Sequence, residues 1–168
     1  MFREMRRKRQ ALPPEACRAI LEGGTSGVLA LAEEGGYPYA VPLSYVYDGE
    51  CLYFHCARAG HKLELIRRDG RASFCVIGQD QVVPAEYTTY FRSVIAFGRI
   101  RILEDAGEKR AAMEKLAARY APEDAPERRA QAIDREWKAL CMLEMTIDHL
   151  SGKEAIELVR QRDSGTSP

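Results

Sequence analysis

The stretch 53-YFHCARAGHKLELIRRDG-70 changes its period partway along, and that change decides how the chain is read. Its first residues complete 51-CLYFHC-56, where Leu52, Phe54 and Cys56 alternate with Cys51, Tyr53 and His55, the period-two pattern of a strand. Leu52, Phe54 and Cys56 make the better interior, so His55 is expected to look outward at the C-terminal end of the strand. After Ala57-Arg58-Ala59-Gly60, the apolar Leu63 and Ile66 and the stop at Asp69-Gly70 predict a short helix over 60–69 that begins with His61 and Lys62. Two of the three histidines in the chain therefore stand six residues apart, the second followed directly by a lysine.

Upstream, Pro13-Pro14 can open a helix with Cys17, Ile20 and Leu21 on one face, ended by Gly23-Gly24. Strand patterns follow at 25-TSGVLALA-32 and 39-YAVPLSYVY-47, separated by the turn 33-EEGGYP-38, and Asp48-Gly49-Glu50 leads into 51–56, so these three strands read as a meander. Downstream come 71-RASFCVIG-78, a polar loop, and 88-TTYFRSVIAFGRIRIL-103, long enough for a bent barrel strand with Gly98 at the bend. Residues 105–138 turn helical, with Ala111, Met113, Leu116, Ala117 and Tyr120 on one side, a break at 122-PEDAPE-127, and a second helix running to Trp137 and Leu140. Alternation returns in 141-CMLEMTIDHL-150. These segments predict a mainly β fold, a six-stranded antiparallel β-barrel with peripheral helices. One domain is expected over 13–160, between a basic arm at 1–12 and a tail at 161–168.

A chain of 168 residues can bury a core without disulfides or metal. Lys plus Arg and Asp plus Glu both count 25, so no net field recruits nucleic acid or an anionic membrane. The exception is local: MFREMRRKRQ carries five cations and one acid, with no apolar run after it to make a secretory signal, and it reads as a solvated arm. Five cysteines with no CxxC pair suit free thiols in a reducing, cytoplasmic setting. Cys51, His55, Cys56 and His61 lack the spacing of a structural zinc site, and no metal is expected.

The start of a helix offers unpaired N–H groups and a positive dipole end, Gly60 permits close approach, and Lys62, Arg58 and His61 can add charge. The residues alone leave two readings open: an anion seat beside a strand, or the wet side of a helix that buries Leu63 and Ile66. Trp137, the only tryptophan, likewise reads either as an anchor for the last helix or as a cap over a pocket across a dimer.

The run 35-GGYPYAVPLSYVYDGECLYFHCARAGHKLELIRRDGRASFCVIG-78, followed by 92-RSVIAFGRIRIL-103, resembles the FMN-binding split barrel of the pyridoxamine 5'-phosphate oxidase superfamily. The N-terminal MRRK, a strand ending in Phe-His, Gly-x-Lys at the start of the helix and Ser-Gly-Lys at 151–153 are most similar to its nitroimidazole-resistance (Nim-type) branch. The resemblance implies FMN in a groove at a homodimer interface. It places the phosphate on His61 and Lys62, and the ring and ribitol along Val41, Pro42, Leu43 and Ser44, then His55 and Cys56. A further polar ring contact falls on Ser93. The Arg-rich C-terminal motif of the true oxidases has no counterpart in 153-KEAIELVRQRDSGTSP-168, which argues against pyridoxamine phosphate oxidation.

The resemblance thus implies an FMN-dependent oxidoreductase that reduces a small electron-poor acceptor such as a nitroaromatic. His55 would be its catalytic proton source, since imidazoles ordinarily titrate near neutral pH. NAD(P)H would be at most a transient donor, because no dinucleotide fingerprint is present. The alternatives are a flavin-binding protein without turnover, or a haem- or deazaflavin-binding member of the same fold.

Overall fold

A computed structural model describes residues 2–165. Helix α1 (Pro14–Gly23) starts with proline in its first turn and leads into β1 (Ser26–Leu31) and β2 (Tyr39–Ser44). Then follow β3 (Val46–Tyr47), β4 (Cys51–Ala57), α2 (His61–Arg68), β5 (Arg71–Val83) and β6 (Thr88–Ile102). Helices α3 (Ala106–Tyr120) and α4 (Pro126–Glu136), β7 (Leu140–Glu154) and α5 (Ile156–Asp163) complete the order. The fold is mainly β, with every ladder antiparallel and the strands ordered β2-β1-β5-β6-β7-β4-β3.

The two edges of this sheet, β2 and β3, are joined through the single residue Tyr45. One residue spans only about 3.8 Å between consecutive Cα atoms, so the sheet must curl until its edges meet. Tyr45 is fully buried at that seam, donates its hydroxyl to the Leu21 carbonyl at 2.7 Å, and packs edge-on against Phe74. The expected single strand over 39–47 is therefore two strands, seven in all. The chain stays extended but exchanges its partner from β1 to β4 at Tyr45. The expected meander is therefore split: β1 pairs with the first part of that segment, β2, while β4 pairs with its second part, β3, and with β7.

Three further expectations change. The residues expected to form a polar loop after 78 mostly continue the β5–β6 ladder to Val83 opposite Thr88, with a bulge between Ile77 and Gln79. Leu140 begins β7 instead of ending a helix. The basic arm is partly docked: Gln10 is buried and donates to the Glu154 carbonyl at 2.9 Å, and the Phe2 ring stacks on His149. Of the expected tail, residues 161–163 close α5, and 166–168 lie outside the described residues. Gly98 does mark an irregularity in β6, where a Cβ would run into the Thr146 carbonyl.

Two apolar cores result. The first fills the barrel with Leu29, Leu52, Phe54, Phe74, Val76, Val94 and Leu143. The second lies outside it, where Val46, Tyr53 and Met142 meet Ala112, Met113 and Ile133 of the α3–α4 hairpin. Asp105 caps α3 by accepting from the Glu108 N–H, and Lys109 ties the hairpin to the start of β7 through the Trp137 and Leu140 carbonyls. Half-buried Trp137 packs into this second core with the Lys109 ammonium 4.4 Å from its ring centre.

Candidate functional site

His55 stands on the outer face of β4, as the alternation requires, because Leu52, Phe54 and Cys56 are buried within the barrel. The register of β3 on β4 pairs Val46 with Tyr53 and Tyr47 with Leu52. Continued two residues past the seam, it sets Ser44 of β2 beside His55. Both line an apolar pocket of about 330 Å³ beneath the α3–α4 hairpin, with Met113, Leu116, Ile133 and Met142 among its walls and Glu136 on α4. His55 Nδ1 is shut off from solvent and has no hydrogen-bond partner among the described residues. An unpaired buried ring nitrogen costs on the order of 1–3 kcal/mol, so a ligand that reaches it is favoured.

One residue on, Cys56 is buried and lies opposite Cys141 of β7. Burial first, and then its neighbour Cys141, push the Cys56 thiol up, while the nearby Lys62 charge draws it down. Gly60 then adopts φ 135°, a backbone conformation that L side chains rarely take, with open space where a side chain would stand. It turns the chain into α2, whose first turn has no side-chain cap. Lys62 is half-buried and makes no ion pair among the described residues. Arg58 is engaged elsewhere, donating to the Lys138 carbonyl at 3.2 Å. His61 is exposed, meets Glu33 at 3.2 Å through Nε2, and has its ring edge-on to Tyr39.

The alternation of β2 splits its four candidate residues. Val41 and Leu43 are half-buried and pack against the barrel core, while Pro42 and Ser44 are exposed on the outside. Ser93 of β6 belongs to the same outer belt: Ser44 pairs with Ser26, and Ser93 pairs with Ile77 on one side and Lys153 on the other. Ser93 and Ser44 are three strand spacings apart, roughly 14 Å. The end of α1, with Ala19, Ile20 and Gly23, meets Ser26, Ile77, Gln79 and Arg92 around a cleft of about 500 Å³. Ser44 thus stands beside His55, Lys62 lies near Cys56 at the turn into α2, and Ser93 lies at the far end of the belt.

Sequence reasoning did not place the α3–α4 hairpin over His55, nor Leu116, Ile133 and Glu136 around it. The apolar spacing of Met113, Leu116 and Ala117 signalled a buried face, but nothing local said which strand that face covers. Among the described residues no group of three or more His, Cys, Asp or Glu could hold a metal ion. No described helix is long and apolar enough to cross a membrane.

The profile of the pyridoxamine 5'-phosphate oxidase family matches residues 13–154, most of the chain, and the protein belongs to that family. Comparison with curated proteins gives no significant match. Among solved structures, a candidate 5-nitroimidazole antibiotic resistance protein from Bacteroides thetaiotaomicron superposes with a TM-score of 0.72 at 20% identity, covering 86% of each chain. A FAD-binding protein from Mesorhizobium loti gives 0.60 at 25% identity, covering 87% of this chain and 97% of its own. The FAD and haem binding protein from Mycobacterium smegmatis gives 0.71 at 22% identity, covering 88% and 73%. These likenesses and the seam at Tyr45 establish the split-barrel fold.

Proposed function

We propose that this protein binds FMN and acts as a flavin-dependent oxidoreductase on a small electron-poor acceptor such as a nitroaromatic. The observation that carries the reading is the passage from β4 into α2. An outward histidine with an orphaned ring nitrogen stands one residue from a buried thiol that senses the charge of an unpaired lysine at the start of a helix. Lys62, His61 and the first N–H groups of α2 would hold the phosphate. The outer edge of Val41, Pro42, Leu43 and Ser44, with His55 and Cys56, would line the ribitol and ring, and Ser93 would supply a further polar contact. A bound flavin supplies the electron-carrying chemistry, with NAD(P)H as a transient donor, while the chain orients it and governs what reaches it. His55 would position the acceptor and deliver a proton to it.

The family resemblances named above, to flavin-binding proteins and to a nitroimidazole-resistance candidate, support this reading. The C-terminus speaks against the oxidase activity for which the family is named. Arg162 of α5 is taken up by the buried Glu154 carboxylate, which Arg92 also holds, so it is not free to grip a substrate phosphate. The proposal includes a homodimer, since the outer row Pro42–Val28–Cys75–Ile95 is apolar and its Pro42 and Val28 are exposed. A reducing, cytoplasmic location suits five free cysteines.

The test is the absorption spectrum of the purified protein, before and after denaturation, followed by turnover with NAD(P)H and a nitroarene. Flavin bands with turnover support the proposal. Flavin without turnover leaves a binding protein, and a Soret band replaces the flavin reading with haem.

A further inference from the structure

We infer that the pocket beneath the α3–α4 hairpin is a binding site for an uncharged aromatic compound of one or two rings, adjoining the cofactor at Ser44 and His55 but not filled by it. The inference rests on the flavin reading above and gives its acceptor a place and a chemical class. The pocket measures about 330 Å³, at the small end of ligand sites, which run from roughly 300 to 1,000 Å³. That volume suits a small ring system and is short of a flavin with its ribityl phosphate.

The walls define the class. Met113, Leu116, Ala117, Ile133 and Met142 offer apolar contact, and the polar groups are few. His55 brings an imidazole whose Nδ1 has no partner among the described residues, so a ring bearing a hydrogen-bonding nitrogen or oxygen gains a contact there. Glu136 is exposed and adds a negative charge, which disfavours an anionic ligand. The shape of the pocket is fixed from outside: Lys109 bonds the Trp137 and Leu140 carbonyls, and Lys115 reaches across to Asp48 and to the Tyr53 hydroxyl. The hairpin is thus fastened to the barrel through Lys109 and Lys115, which favours a preformed site.

The experiment measures nitrobenzene and 4-nitrobenzoate binding by calorimetry on the full chain with FMN present, and FMN binding separately by flavin fluorescence. The wild type should prefer nitrobenzene. Ala117→Trp, which fills the pocket, should abolish nitrobenzene binding and leave FMN affinity within about twofold. His55→Leu should weaken nitrobenzene by about five- to tenfold, the value of one hydrogen bond. Glu136→Lys reverses the charge at the pocket wall, and should shift the preference toward 4-nitrobenzoate by several-fold. If Ala117→Trp loses FMN and nitrobenzene together while its unfolding temperature holds, the flavin ring itself occupies the pocket and the inference is overturned with the flavin reading intact. Nitrobenzene binding unchanged in Ala117→Trp, or an unmoved preference in Glu136→Lys, also overturns it. A wild type that binds nitrobenzene but no flavin overturns the proposed function instead.

Discussion

The carboxylate of Glu33, in the turn between β1 and β2, lies 3.2 Å from His61 Nε2 at the start of α2. The acid therefore stands where the proposed phosphate would approach, beside the unpaired Lys62. An exposed pair of this kind is worth about 0.2–1 kcal/mol. Glu33→Gln should remove a competing negative charge and tighten FMN binding by about two- to fivefold, with riboflavin unchanged. Fluorescence titrations of both ligands check this, and equal affinities in mutant and wild type would place the phosphate elsewhere.

Lys62→Ala removes the half-buried cation itself. A charge-assisted hydrogen bond contributes about 1.5–3 kcal/mol, so FMN should weaken by ~10- to 150-fold while riboflavin, which has no phosphate, changes little. Equal weakening of the two ligands would mark Lys62 as the wet side of a helix that buries Leu63 and Ile66.

Stability at low pH should report the fastening of α3. Burial alone would raise the Asp48 carboxyl, but the Lys115 ammonium and the Cys51 and Glu50 N–H groups outweigh it and hold the group down to about 2. A folded-state value below the unfolded one gives stability that is complete above the ordinary carboxylate range and is lost as pH falls from about 4 to about 2. The contribution is at most about 2 kcal/mol. Thermal unfolding of Asp48→Asn should show a lower Tm at pH 7 and a flatter fall across that window. A parallel pH profile in mutant and wild type would mean that other carboxylates set the acid limit.

How much of this was legible in the sequence depends on range. The strand 51–56, the outward placement of His55 and the helix start at His61 follow from local period and are found where the pattern puts them. The seam at Tyr45 could not be read, because an extended chain looks the same whether its neighbour is β1 or β4. Ser44 comes beside His55 only once that seam closes. The burial of Tyr53 and Met142 on the outer face was hidden for a related reason: alternation says which side a residue takes, not what covers that side.

The uncovered side yields the test of assembly. Val28 is 40% exposed and Ile77 65% exposed on the outer face of β1 and β5, where a second copy would lie. Val28→Lys should convert a dimer to a monomer in light scattering and loosen FMN with it, since the belt from Ser44 to Ser93 would be open to water. A wild type that is monomeric with FMN bound at full stoichiometry removes the need for a partner.

His55 carries the chemical prediction. It lines the pocket, stands outside the barrel and has an orphaned Nδ1, yet the proposed phosphate contacts are on α2, several residues further on. Its loss should therefore separate binding from chemistry. His55→Ala should retain most of the bound FMN and slow acceptor reduction by ~100-fold, the scale of general acid catalysis by a positioned imidazole. Reduction of the cofactor by the donor should change far less. Stopped-flow measurement of the two half-reactions between pH 5 and 8 checks both points. The mutant should also lose the pH dependence of acceptor reduction, a signature that a merely structural strand residue would not carry. Should acceptor reduction keep its wild-type rate and profile, the proton comes from another group and His55 serves the strand alone.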